Sequence, residues 1–196
     1  MTASHILATY QLATAAELVH GETWYPAAHK VAKQLAKAYG VHEAEAAGVI
    51  AALSPRNKWE RNLQDAESLI AAWVAGGSEA AMLTKVCTFT GNKAKAVRIL
   101  EAGVLTDADV LAILSGPKLK EFYNCIRGIS DVCIDGHAYS IWTGGRVTLA
   151  DVPRIGVKLR KEIKADYAAA AAKAGVAPSV MQATTWVVWR RIHLGA

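Results

Sequence analysis

Residues Leu114 to Ile141 read LSGPKLKEFYNCIRGISDVCIDGHAYSI, and this stretch decides the architecture. Leu114 closes one helical segment, and Ser115-Gly116-Pro117 is a tight turn. Pro117 suits the first position of a helix, where its missing N–H costs nothing. A lysine-bearing helix follows. Beyond Gly128, Asp131-Val132-Cys133-Ile134 is a short extended apolar segment that runs into Asp135. Gly136 to Thr143 is a further helix, ended by Gly144-Gly145, and Asp135 stands where its N-cap belongs.

The rest of the chain continues this helical pattern in both directions. Pro26 fits the first turn of a helix that runs to Tyr39 and closes at Gly40. Glu43 to Leu53 is a second run, stopped by Ser54-Pro55. From Lys58 to Val74, residues Trp59, Leu63, Ala66, Leu69, Ile70 and Trp73 recur at three- and four-residue spacing, and Gly76-Gly77 terminates them. Ser78 to Val86 and Asn92 to Glu101 are shorter, with Gly103 closing the latter. Thr106 with Asp109 marks an N-cap and an acidic first turn. Lys158 to Lys173 carries Leu159, Ile163 and Tyr167 on one stripe, and Pro178 opens a last helix through His193. About ten helices on short loops predict an all-α bundle, one cooperative unit or two helical lobes.

Composition agrees. The chain has 196 residues, of which 53% are hydrophobic and 20% charged, enough for a folded core. Alanine dominates the apolar class and aromatics reach only 7%, which favours helix over sheet. No apolar run approaches the ~18 residues of a membrane span. Met1 to Tyr10 lacks the basic-then-apolar pattern of a signal peptide. Cys87, Cys125 and Cys133 are odd in number and irregularly spaced, which excludes a disulfide scaffold, a four-cysteine cluster and a zinc ribbon. A cytoplasmic setting, no metal, no cofactor and a monomer are the expectations.

The net charge of +5 permits nucleic-acid binding without demanding it. Arg56, Lys58 and Arg61 form one cluster, Lys93, Lys95 and Arg98 another. Lys118 with Lys120, and Arg154 to Lys164, complete the set. Each cluster taken alone also reads as a solvated helix face.

At Leu114-Ser115-Gly116-Pro117-Lys118 and Ile134-Asp135-Gly136-His137 the sequence resembles the helix-hairpin-helix DNA glycosylases. Two upstream features match that family's order of motifs. Ala52-Leu53-Ser54-Pro55 sits where these enzymes place a Leu-Ser turn, and Gly91-Asn92-Lys93-Ala94-Lys95-Ala96-Val97-Arg98-Ile99 is similar to one of their helices. The resemblance covers roughly residues 45 to 142. It is closest to a divergent, phage-type fringe of the superfamily with an 8-oxoguanine glycosylase-like fold. The hairpin keeps one glycine where the family offers two, so its hold on a phosphate is altered.

The resemblance implies a two-lobed all-α unit spanning 1–196. Its hairpin and aspartate motif occupy about 106–142, and the N- and C-terminal helices form the other lobe. It implies excision of a damaged or modified base flipped out of double-stranded DNA. Asp135 would be catalytic, and Lys118 or Lys120 would be the amine of a Schiff-base AP lyase. The longer interval to Asp135 favours Lys118, whereas the string Lys120-Glu121 to Ile126-Arg127 favours Lys120. Gly116, Asn57, Lys58, Trp59, Lys95 and His137 are the expected DNA contacts. The plainer readings are a helix cap for Asp135, phosphate contacts for the lysines and core packing for Trp59. Two alternatives stand beside this one: a non-catalytic DNA-binding module on the same scaffold, and a phage enzyme of DNA-base hypermodification.

Overall fold

The computed structural model describes residues 2–103, 106–148 and 150–194, and its regular structure is all-α. Among the described residues ten helices follow one another: α1 (Thr2–Gln11), α2 (Ala15–Tyr39), α3 (Glu43–Leu53), α4 (Trp59–Leu83) and α5 (Thr90–Ala102). Then come α6 (Asp107–Ile113), α7 (Pro117–Ile126), α8 (Gly136–Thr143), α9 (Val157–Ala174) and α10 (Pro178–Leu194). No described helix is long and apolar enough to cross a membrane.

Two boundaries differ from the sequence pattern. α2 starts at Ala15, well before Pro26, because Thr14 and Glu17 form a reciprocal cap. The Thr14 N–H donates to Glu17 Oε2 at 2.8 Å, and the Glu17 N–H donates to Thr14 Oγ1 at 3.3 Å. Pro26 therefore lies inside the helix, exposed, and supplies no N–H to the ladder there. α4 breaks at Gly76 and Gly77 as expected, with Gly77 at φ 66°, and the helix read from Ser78 onward follows at once but ends at Leu83 rather than Val86.

The chain divides into two compact units. One is continuous, Ala28–Arg127; the other is split, Met1–Ala27 with Gly128–Ala196. The stretch 106–142, expected as one block, is divided between them at Arg127. The terminal helices share their unit with α8 and α9. The reason is packing: Val132 and Ile134 of the extended segment join the core of the split unit, with Ile6, Ile163, Tyr167 and Met181.

In the continuous unit α3 is the centre, and every residue from Ala44 to Leu53 is buried. Helices α4, α5, α6 and α7 all pack on it. Gly48 admits this close approach: a Cβ there would stand 2.8 Å from Val110 Cγ1 and 3.0 Å from Ile99 Cδ1. Leu53, Leu69, Ile70, Ile99 and Leu100 fill the surrounding core, each worth about 1.5–3 kcal/mol of transfer free energy.

Candidate functional site

Helices α6 and α7 follow one another across a short turn within the continuous unit. Asp107, in the first turn of α6, accepts hydrogen bonds from the Tyr123 hydroxyl and from Arg127 Nε at 2.7 Å, both on or just past α7. Burial and the Asp107 carboxylate push the Tyr123 phenol up, so it remains a donor. The turn between the helices ends at Gly116, whose φ of 92° and ψ of 134° suit only glycine. Gly116 is the N-cap of α7 and offers no side chain, so the first N–H groups of α7 have no side-chain acceptor from their cap. Lys118 and Lys120 are both half-buried on the first turns of this helix.

The Ser54 to Trp59 turn is held by a residue that the sequence pattern did not single out. Asp65, 2% exposed, accepts from Asn57 Nδ2 at 2.9 Å, Arg61 Nε at 2.7 Å and the Cys87 backbone N–H at 2.7 Å. Burial alone would raise its pKa. The Cys87 N–H, Arg61 and Asn57 together outweigh burial and hold the carboxyl below its usual range. Thr88 Oγ1 also donates to Pro55 O at 3.2 Å, and the Arg56 guanidinium stacks 5.1 Å from the Phe89 ring. Arg56 takes φ 57°, a left-handed conformation uncommon outside glycine, within this crosslinked turn.

The expected DNA contacts on this unit separate in role. The Asn57 amide is spent on Leu53 O and Asp65, so it builds the turn. Trp59 meets Phe122 edge-on with centroids 6.4 Å apart, which sets α7 beside the start of α4 and fits the packing reading. Lys95 Nζ donates to Asn92 Oδ1 at 3.0 Å. Lys58 is exposed and is the N-cap of α4.

A common property links three helix starts here. The N-caps of α4 (Lys58), α5 (Phe89) and α7 (Gly116) provide no side-chain cap, whereas His42 caps α3 and Thr106 caps α6. The capped helices carry acids in their first turns, while α5 and α7 carry none. Lys93, Lys118 and Lys120 lie there instead. Cations at a helix start oppose the macrodipole, and an anion docked on the N–H groups would reverse that penalty.

Asp135 and His137 belong to the split unit. Asp135 is half-buried, and its Oδ1 accepts the Ala138 N–H at 2.9 Å, so it caps α8 as its sequence context indicates. His137 is half-buried on the first turn of the same helix. The approach to Asp135 is tied to α9: Arg160 Nη1 donates to Ile134 O at 3.0 Å, and Lys164 pairs with Asp131. Two members of the basic Arg154–Lys164 cluster are thus engaged within the fold. Tyr167, buried among these groups, has its phenol raised by burial, with the nearby Asp135 charge acting in the same direction. Among the described residues no three or more His, Cys, Asp or Glu side chains gather as a metal site.

A capped carboxylate of this kind can stabilise positive charge at a sugar C1′ or accept a proton from water. Asp65, Arg160 and Lys164 were missed in sequence because Asn57 and Cys87, Ile134 and Asp131, which they engage, lie eight or more residues away.

A family model described as Family of unknown function (DUF7178) matches residues 1–193. No curated protein and no solved structure matches the chain.

Proposed function

Because the chain belongs to DUF7178, a family of unknown function, its activity has to be read from its own residues, and we propose that it is a DNA N-glycosylase of the helix-hairpin-helix type. The observation that carries the reading is Asp135. A carboxylate caps α8 at the end of an extended segment, and that segment follows a helix–turn–helix with an uncapped, lysine-bearing second helix. The same order of parts underlies the sequence resemblance. In the reaction the C1′–N bond breaks and its electron pair leaves with the base. Water adds hydroxyl to C1′ with its proton passing to Asp135, whose charge stabilises the cationic sugar beforehand. If the neutral amine of Lys118 or Lys120 attacks C1′ in place of water, the base leaves with the C1′–N pair. The ring C1′–O4′ bond then opens as the lysine nitrogen forms C1′=N, and one amine proton ends on O4′. Elimination of the 3′-phosphate from this Schiff base cleaves the strand.

The test is release of free base from a panel of duplexes carrying damaged or modified bases, with borohydride trapping on abasic DNA for the lyase step. Base release that Asp135→Asn abolishes supports the reading. Duplex binding without release from any substrate would favour a second reading, a DNA-binding module. That module needs only the uncapped starts of α5 and α7 with their lysines, beside Lys58 at the start of α4, and leaves Asp135 as a cap.

A further inference from the structure

We infer that Arg160 is a positioning residue for the Asp135 carboxylate, an inference that rests on the glycosylase reading. Residues 160, 164 and 167 are spaced to share one face of α9, and all three engage the chain between Asp131 and Ala138. Lys164 pairs with the Asp131 carboxylate at the beginning of that stretch. Arg160 Nη1 reaches the Ile134 carbonyl at 3.0 Å, an oxygen of the peptide that enters Asp135. The buried Tyr167 hydroxyl lies 3.4 Å from the Ala138 carbonyl, on the residue whose N–H the Asp135 carboxylate accepts. One helix therefore holds Asp135 from both sides.

The guanidinium fixes the rotation of the Ile134–Asp135 peptide and with it the backbone of Asp135, φ −113° and ψ −171°. Oδ1 is engaged by Ala138, so the aim of Oδ2 depends on that backbone. A carboxylate displaced by a fraction of an ångström from C1′ loses stabilisation where the charge develops, without losing affinity for the duplex.

The experiment uses the full chain with Arg160→Met and Arg160→Lys. It measures single-turnover base release, duplex affinity, and amide exchange at Ala138 with Val188 of α10 as an internal reference. Arg160→Met should slow release about 10- to 100-fold at unchanged affinity. Exchange at Ala138 should speed about tenfold while Val188 keeps its protection, because the opening is local. Arg160→Lys, which keeps a donor, should recover part of both effects. Wild-type release rates in Arg160→Met, or equal acceleration at Val188, would overturn the inference. If the wild type releases no base from any duplex, the glycosylase reading falls on its own account. Unchanged Ala138 protection in Arg160→Met would then show separately that Arg160 does not hold the Asp135 corner.

Discussion

The carboxylate of Asp65 accepts the backbone N–H of Cys87 at 2.7 Å and so ties α4 to the loop that enters α5. Asp65→Ala takes the acceptor from that N–H, on the exposed Cys87, and from the half-buried Asn57 amide, which keeps only Leu53 O. A loss of about 1–2 kcal/mol in chemical denaturation is expected. The lowered pKa of Asp65 adds an acid signature. Its contribution is complete above the ordinary carboxylate range and is lost as pH falls through the lowered value. A cost well under about 1 kcal/mol would show that Thr88 and Arg56 hold the turn without it.

Asp135→Asn separates capping from chemistry, because asparagine caps a helix as well as aspartate does. Base release should fall at least ~100-fold while the melting temperature is kept. Asp135→Ala should lose the same activity and, in addition, about 1 kcal/mol of stability. Full activity in Asp135→Asn would reduce the residue to a cap.

Duplex binding should weaken steeply with salt, each phosphate contact contributing about −0.9 to the slope of log K against log salt. Lys118 and Lys120 lie about 200° apart around α7, so only one of them can address the extruded sugar. Lys118→Ala and Lys120→Ala should therefore differ in borohydride trapping. The variant that keeps the adduct should show the shallower salt slope, since its missing lysine is the one that meets phosphate. Equal behaviour of the two in both measurements would contradict this division of labour.

Gly21 of α2 lies tight against Thr184 of α10. A Cβ on Gly21 would fall 2.0 Å from Thr184 Oγ1 and 2.6 Å from Thr184 Cα. Gly21→Ala should cost about 1–3 kcal/mol by overpacking. Thr184→Ala should rescue only part of it, because the backbone clash remains. Complete rescue in thermal melts would place the strain in the hydroxyl alone.

Glu17 provides a second acid-sensitive contact. Arg191 Nε donates to its Oε1 at 2.7 Å and, chiefly through this bond, holds the Glu17 carboxyl at about 2 from an ordinary 4.5. A depressed folded-state pKa stabilises the protein above the ordinary value. That stability disappears as pH drops from about 4.5 towards about 2. Arg191→Met should flatten the acid limb of the stability–pH curve; an unchanged limb would assign it elsewhere.

Local signals recovered some helices closely and misplaced others for identifiable reasons. α3 and α8 were legible because Ser54-Pro55 and Gly144-Gly145 stop them and Asp135 caps the second. α2 was misplaced because Pro26 is a strong initiation signal in sequence, while the Thr14–Glu17 cap further upstream decides the start. The candidate site divides in the same way. Gly116 and Asp135 do in the structure what their neighbours in sequence suggest, a sharp turn and a helix cap. The Cys87 N–H that Asp65 accepts and the Ile134 carbonyl that Arg160 reaches lie on segments that only the folded chain brings near.

The split unit also bears on the order of events during synthesis. Residues 28–127 leave the ribosome as an unbroken run with α3 and all the helices that pack on it, so their core can close while translation continues. Ile6 has no such opportunity. Its partners Ile134, Tyr167 and Met181 emerge only after the whole inserted hundred residues, and α1 must wait for them with its apolar face unburied.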